Sequence, residues 1–462
     1  MAYDERQAAL EIARLLEQVR RLQAENERLQ TENRQLSEKL DRLQKQVAEL
    51  ERTNARQAAP FRREEKKKVP AGEKKRPGRK LGHRGACRAI PEHVDQEVEV
   101  PLDCCPHCQG AVTDRAPLVQ WIEELPPLRP VVTRLTTWEA NCPRCGAVRS
   151  THPLQTSTAG GAASVQLGPR ALAVAALLNK ELGITMRKTC RVLAKLLGMK
   201  LTPGGLSQAL DRVADKTATG YDRLLKTIRA SDVVYADETS WWVDGPGWWL
   251  WTFTMPAATL YRVENSRGSG VAQATLGEDF AGMLVSDCLN IYDSIGCRKH
   301  KCIAHHQRAI AQARDRPDTP EKSYLQQWKW LFQAVTALWK ARPTMAETAF
   351  ALERVRIEVW CKRLLDQSVT QPGDVAVQNR LLKQWPHLLG CLYEPAAEPT
   401  NNRAERSLRP AVITRKLSCG NRTQRGKRTW EILASLAATC RQNADDFVDW
   451  LAPQLSLAPN AG

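Results

Sequence analysis

One heptad frame runs unbroken through residues 8–52, and no other feature limits so sharply what this part of the chain can become. Leu15, Leu22, Leu29, Leu36, Leu43 and Leu50 fill its d positions. Ile12, Val19, Asn26, Asn33, Leu40 and Val47 fill its a positions, with Glu, Arg, Gln and Lys between them. Leu at d with β-branched residues at a favours a two-stranded parallel coiled coil, in which a buried Asn is tolerated opposite its partner's Asn. A solitary helix would leave the leucine seam in water. The pattern therefore predicts a leucine zipper and a homodimer or larger assembly.

The remaining chain is too long for one core. At roughly 150 residues per domain, 462 residues imply about three modules. Lys and Arg number 68 against 51 Asp and Glu, a net of +17, as expected of a protein whose partner is a polyanion. Residues 61–88 carry twelve of these cations and three Glu, a net of +9, and mostly fall in a segment (53–86) nearly devoid of large apolar groups. Such composition predicts a flexible basic linker. Arg76, Arg79 and Lys80 surround a Pro-Gly turn there. They suit either a narrow minor groove or a tether attracted to phosphates without specificity. No apolar run nears the roughly 20 residues needed to span a bilayer, and the N-terminus lacks a signal peptide's apolar core. We expect a soluble cytoplasmic protein associated with the nucleoid, with no membrane partner.

Fourteen cysteines in such a chain point to metal binding and scattered buried thiols rather than disulfides. Between 87 and 153, Cys105-x-x-Cys108 and Cys142-x-x-Cys145 each sit in a Cys-Pro-x-Cys turn, with short β-like runs at 98–100 and 131–137. Two such knuckles can supply four sulfur ligands to one tetrahedral Zn²⁺, a structural zinc ribbon that would serve as a DNA-binding module. Cys104 or His107 could replace one ligand. From 165 to 228 the periodicity becomes helical. Gly183 and Gly198 punctuate it, and Thr202-Pro203 marks an N-cap and N1, predicting three short helices. They fit a helix-turn-helix or a bundle that caps a neighbouring domain.

Residues 229–452 contain the chemistry. Strands are predicted at 233–237, 241–243, 248–254 and 259–263, with the Asp244-Gly245-Pro246-Gly247 turn making a hairpin. A further strand at 282–286 delivers Asp287, so two strands would each end in an aspartate. Carboxylates at strand ends of one sheet can converge on a metal. Glu405 lies in Asn401-Asn402-Arg403-Ala404-Glu405-Arg406, read as a helical turn entered after Pro399 and stopped by Pro410. Its bland partner would be Arg409, one turn on. Beside a metal site, Arg403, Arg406 and Arg409 would instead hold DNA phosphates, and so would Arg415 and Lys416 in the basic stretch that follows. Residues 306–390 read as a helical insertion with Trp328, Trp330, Leu331, Val335 and Leu338 on one buried face. An amphipathic helix is expected over 429–450. The five Trp of 241–251 read as sheet packing, or as stacking surfaces for bases.

The ordered set CPHC, CPRC, YADETSWWVDGPGWWLWTF, VSDCLNIYD, CIAHHQR and NNRAERSLRPAVITRK, after the zipper and the Arg-Pro-Gly-Arg-Lys linker, resembles the insertion-sequence-sixty-six type transposases over nearly the whole chain. The resemblance implies a multidomain α+β protein with a ribonuclease-H-like catalytic core. It places Asp237, Asp287 and Glu405 as an Asp-Asp-Glu triad binding two Mg²⁺, for which Mn²⁺ could substitute. It also implies accessory proteins of the same element as partners, beside DNA in the form of terminal repeats and target. Cys288 stands where such enzymes usually have glycine. Cys302-x-x-His305 resembles a signature that follows the second aspartate, with His305 as an auxiliary residue, though alone it reads as a packed Cys and a surface His. Asp293 and Glu238 are runners-up for the second and first carboxylates, strand alternation turning Glu238 away from Asp237. Two ions would activate the attacking oxygen and stabilise the leaving one at phosphorus. A dimeric zinc-containing DNA-binding regulator accounts for everything except the acids. Covalent recombination lacks a hydroxyl in a suitable basic setting.

Overall fold

The structure is a computed structural model that describes residues 2–56, 88–114, 116–126, 128–157 and 165–456. Arg76, Arg79 and Lys80 lie outside the described residues, as does most of the expected linker. The chain forms two compact units, residues 1–121 and 122–462.

In the first unit, α1 (Ala2–Arg56) is one continuous helix of 55 residues. Its described seam residues Leu22, Leu29, Leu36, Leu40, Leu43 and Val47 are all exposed, Leu36 by 62%. The expected strand at 98–100 is absent, and Val98 and Val100 stand in solvent. β-branched residues favour a strand only where a second strand pairs with them. None does so here among the described residues.

The second unit begins with the same outcome at 131–137, where Val131 and Val132 are exposed and unpaired. The chain folds instead at the knuckle that follows. β1 (Glu139–Cys142) and β2 (Gly146–Arg149) form an antiparallel hairpin across Cys142 and Cys145, tied by the Arg149–Glu139 ion pair at 2.9 Å. Next come α2 (Pro169–Ala176), a π turn at Leu177–Glu181, α3 (Met186–Leu196) and α4 (Pro203–Arg229). Thr202 caps α4 as expected, its hydroxyl accepting from the Gly205 amide at 3.1 Å. The third helix is not short, however. It runs 27 residues because Leu206, Leu210 and Val213 at its start and Ile228 at its end enter two successive cores.

The central sheet is mixed, in the order β5-β4-β3-β6-β7, formed by β3 (Val233–Trp241), β4 (Trp248–Met255), β5 (Ala258–Glu264), β6 (Met283–Ser286) and β7 (Arg298–Lys301), with α5 (Ser269–Leu276) between β5 and β6. β3, β4 and β5 are antiparallel, whereas β6 and β7 run parallel to β3. The first expected segment, 233–237, runs on as one strand to Trp241, leaving Trp242 and Val243 beyond its end, and Asp237 lies inside it rather than at its end. Alternation divides β3 cleanly. Val234 and Ala236 pack with Trp251, Leu284 and Tyr292 on one face, and Val233 and Tyr235 pack with the helices that follow on the other.

Those helices are α6 (Ile303–Arg314), α7 (Ser323–Ala341), α8 (Glu347–Asp366), α9 (Pro372–Gln384) and the short α10 (Gly390–Tyr393). Trp328, Leu331, Val335 and Leu338 share a buried face as expected, but Trp330 is 53% exposed, two residues and about 200° round the helix from Trp328. α11 (Asn402–Ser418) does not stop at Pro410. Burial of Leu408 and Ala411 on either side carries the helix through a residue that removes one backbone bond. The helix expected at 429–450 is two, α12 (Gln424–Gln442) and α13 (Phe447–Leu455), broken where Ala444 adopts positive φ and Asp446 caps α13. Nor is α12 amphipathic. Leu433, Leu436 and Ala437 meet α2–α4, while Trp430, Ala434 and Ala438 meet the sheet, so it is buried on both sides.

Candidate active site

Tyr235 pairs with Val285 in the parallel register of β3 and β6, and Asp237 and Asp287 each lie two residues beyond that pair. The two carboxylates are therefore delivered side by side by neighbouring strands. Asp287 leaves β6 in a tight turn, its Oδ1 accepting from the Leu289 amide at 2.9 Å, and Asp237 Oδ1 accepts from the Glu238 amide at 2.9 Å. Glu405 arrives from the first turn of α11. Its partner is Arg308 of α6, at 3.6 Å, and not Arg409, the partner of the plainer reading.

Asp237 lies in an acidic setting. Burial first, then the charges of Glu238, Asp287 and, more weakly, Glu405, push the Asp237 carboxyl well above its ordinary range. His305 stands in the same field. Burial and the Arg308 charge lower its proton affinity, while Asp287 and Glu405 raise it. Its Nδ1 is buried and finds no hydrogen-bond partner among the described residues. His305 is thus not the surface side chain of the plainer reading.

The runners-up are otherwise engaged. Glu238 points to the opposite face, where its Oε1 receives Arg267 at 2.8 and 3.0 Å and its Oε2 receives the Tyr292 hydroxyl at 2.6 Å. Asp293 is ion-paired with the buried Lys301 at 2.8 Å and receives Gln384 at 3.3 Å. Cys288 packs its Sγ 3.4 Å from His306 Nε2; burial pushes that thiol up to about 11 and the imidazole down to about 3, so both are neutral.

Three contributors escaped the sequence reading. Asn401 is fully buried: its Nδ2 donates to the Ala236 carbonyl at 2.8 Å, its amide donates to Cys302 Sγ at 3.2 Å, and its carbonyl accepts from the Glu405 amide at 3.1 Å. It links the residue before Asp237 to the turn holding Glu405. Arg308 lies in the quoted CIAHHQR run, and Arg380 of α9 acts electrostatically on His305, His306 and Cys288. Nothing local marks Arg380, which comes from the helical insertion.

The proposed phosphate-binding residues divide. Arg406 and Arg409 are exposed. Arg403 turns to Glu398 at 2.7 Å and lies over the Tyr235 ring, and Arg415 bonds the Ser240 hydroxyl at 2.8 Å at the end of β3, with Lys416 next to it on α11. Further on, Arg425 and Arg428 pair with Asp211 and Asp215 of α4, and Lys427 donates to the Val263 carbonyl and lies over Trp248. Of the five Trp, Trp241 and Trp251 are buried in packing, whereas Trp242 is exposed.

Among the described residues no group of three or more His, Cys, Asp or Glu is gathered closely enough to hold a metal ion. The donor chemistry nevertheless fits a hard divalent cation. Asp237, Asp287 and Glu405 offer carboxylate oxygens, and the mutual repulsion that raises Asp237 is what a cation would relieve. In each knuckle, backbone amides lower the first thiol: those of His107 and then Cys108 act on Cys105, and those of Arg144 and then Cys145 on Cys142. Thiolate-stabilising turns of this kind suit zinc ligation. Cys104 instead donates to Gln109 at 3.4 Å.

The family model for the IS66 transposase family matches residues 164–429, more than half of the chain, including all three acids. The chain belongs to the IS66 transposase family. Among curated proteins the chain is similar to the uncharacterised protein y4qI of Sinorhizobium fredii, 27% identical over 274 residues, 51% of this chain and 49% of the relative. It is also similar to y4jD of the same organism, 25% identical over 290 residues and 56% of each. The chain thus matches about half the length of these curated relatives. No described helix is long and apolar enough to cross a membrane.

Proposed function

We propose that the chain is the DNA-cleaving and DNA-joining enzyme of a bacterial insertion sequence, with Asp237, Asp287 and Glu405 as its catalytic acids. One observation carries this reading: the parallel register of β3 and β6 sets Asp237 and Asp287 at the same level, and Asn401 ties the residue before Asp237 to the amide of Glu405. The β5-β4-β3-β6-β7 order, with acids on two central neighbouring strands and a third on a later helix, is the arrangement expected of a ribonuclease-H-like core.

The acids serve as oxygen ligands, not proton shuttles. Two Mg²⁺, or Mn²⁺ in their place, would supply activation of the attacking oxygen and stabilisation of the leaving one in an in-line displacement at phosphorus. Asn401 keeps Glu405 in register with β3. Arg308 and Arg380 place positive charge beside the acids, where the scissile phosphate's free oxygens would lie. His305, flanked by Asp287 and Glu405, keeps the imidazole of the auxiliary role in contact with the site. Water attacks first and frees a 3′-hydroxyl at the element end; that hydroxyl then attacks target DNA. Neither step needs a covalent enzyme intermediate.

Around this core we assign a zinc site on Cys105, Cys108, Cys142 and Cys145 and a zipper-mediated homodimer. The partners are terminal repeats, target DNA and accessory proteins of the same element, in the bacterial cytoplasm at the nucleoid. The deciding experiment is cleavage and strand transfer on matched element ends with Mg²⁺, comparing wild type with Asp237→Ala, Asp287→Ala and Glu405→Ala. Each variant should lose both reactions and retain DNA binding. Persistent cleavage in any of them removes that residue from the site.

A further inference from the structure

The chain's cations fall into two groups that composition alone cannot separate. Those from the last turn of α11 onward are mostly spent on intramolecular partners: Arg425 and Arg428 on Asp211 and Asp215, Lys427 on the Val263 carbonyl and Glu431, Arg415 on Ser240. α3 is the opposite case. It contains Arg187, Lys188, Arg191 and Lys195 and no acid, and all four cations are exposed. Among the described residues none of the four is ion-paired with a carboxylate, in contrast to Arg170 on α2, which pairs with Asp449 at 2.7 Å.

The geometry of α3 sorts its residues onto two faces. At about 100° per residue the four cations fall within an arc of about 100°, while Thr189, Cys190 and Leu193 are buried on the far side. Thr189 and Leu193 are fully buried, so the apolar face is fixed in the core that α2, α3 and α4 share with α12 and α13, and the basic face must look outward. Two of the cations, Arg187 and Lys188, sit in the helix's first turn, where the exposed amides already carry partial positive charge. Folding gains nothing from cations at that position. A bound anion compensates for both.

We propose that the exposed face of α3 is a docking surface for the phosphate backbone of duplex DNA, with Arg187, Lys188, Arg191 and Lys195 as the contacting residues. The proposal rests on the transposase reading for the identity of the polyanion, and it locates binding on a helix remote in sequence from the three acids. The spacing argues for backbone contact rather than base reading. Long flexible cations at i, i+1, i+4 and i+8 along an 11-residue helix can follow a run of phosphates, and no amide side chain or carboxylate stands among them to read adenine or cytosine.

The test measures affinity of the full chain for a short mixed-sequence duplex by fluorescence anisotropy over a series of salt concentrations. Wild type is compared with the quadruple variant Arg187→Gln, Lys188→Gln, Arg191→Gln, Lys195→Gln, with the double variant Lys188→Gln, Lys195→Gln, and with Arg425→Gln, Arg428→Gln as control. Each phosphate contact contributes about 0.9 to the slope of log affinity against log salt. The quadruple variant should therefore lose about 3.6 from the slope and at least roughly tenfold in affinity at moderate salt, and the double variant about 1.8 from the slope. The control pair, already neutralised internally, should keep the wild-type slope. An unchanged slope in both α3 variants overturns the proposal, as does a change in sedimentation mass without a change in DNA affinity, which would make the face a protein interface. Thermal melting shows that the variants are folded, and the double variant carries the test if the quadruple one is not. Slope loss in the α3 variants, with no cleavage by wild type on matched ends, would leave this surface standing and remove the catalytic reading instead.

Discussion

Asp237 opposes the fold that carries it. Its carboxylate is largely enclosed beside Glu238, Asp287 and Glu405, and burial and these charges together raise its proton affinity. A carboxyl whose folded pKa lies above its unfolded one contributes stability below its ordinary range and loses it as pH rises through the raised value. Asp237→Asn should therefore melt higher than wild type at neutral pH, by about 1–2 kcal/mol, while eliminating cleavage, as when a site is retained at the expense of stability. Calorimetry with and without Mg²⁺ checks this: the ion should stabilise wild type by mass action and leave the variant unmoved. A lower melting temperature for Asp237→Asn without metal would show that the site is not strained by charge. Asn401→Ala should cost about 1–3 kcal/mol, because it leaves the buried Ala236 carbonyl without its donor, and it should lower the cleavage rate by loosening Glu405. Urea melts and cleavage rates measure the two effects, and wild-type values in both would end the clamp assignment. The three candidate acids stand out in the sequence because each sits in a distinctive local run. The clamp could not, because the meaning of Asn401 depends on a carbonyl 165 residues away.

At the level of elements, α12 shows where periodicity misleads. Its polar residues suggested a solvent face, yet Glu431 lies buried between α4 and β5, accepting the Val263 amide. Burial pushes its carboxyl up to about 7 against the pull of Lys427. Since the folded value lies above the ordinary one of about 4.3, its stabilisation is complete below that value and is lost as pH rises toward 7. Glu431→Gln keeps an acceptor for the Val263 amide and removes the charge, so at pH 8 it should stabilise the chain by up to about 3 kcal/mol, and near pH 4.5 by almost nothing. Urea unfolding at the two pH values decides it; a variant weaker than wild type at pH 8 would mean that the Lys427 pairing outweighs burial. Gly420 marks the opposite kind of constraint. Its φ is +100°, and an added Cβ would come 2.5 Å from the Trp242 carbonyl, so Gly420→Ala should cost about 1–3 kcal/mol, read by the same melts. Strands rich in β-branched and aromatic residues, such as β3 and β5, were legible within a few residues, although both are buried on both faces. The valines at 98–100 and 131–137 misled because strand preference depends on a pairing partner. Pro410 and the α12–α13 break misled because core packing outweighs local propensity.

For the whole molecule, the heptads predict a property that one copy cannot display. A helix of 55 residues is about 80 Å long, and its described d positions Leu22, Leu29, Leu36 and Leu43 all meet solvent. Isolated helices draw little stability from propensity, so α1 needs a surface to bury its seam. The Asn residues at the a positions 26 and 33 favour a second copy of the same helix, where each can meet its like, over an unrelated apolar surface, where each amide would be buried without a partner. Dimerisation also matches the chemistry, since an element has two ends and joining them requires two active sites held together. Sedimentation at micromolar concentration should give twice the 51.8 kDa chain mass, and Leu29→Asp with Leu36→Asp should return it to the monomer value. The second unit has its own core on α2–α4, α12 and α13, so the main thermal transition of that variant should stay at the wild-type temperature. Single-end cleavage should survive in the variant while paired-end joining fails. A wild-type monomer, or a variant dimer that joins ends normally, would transfer the task of pairing the ends to some other surface of the protein.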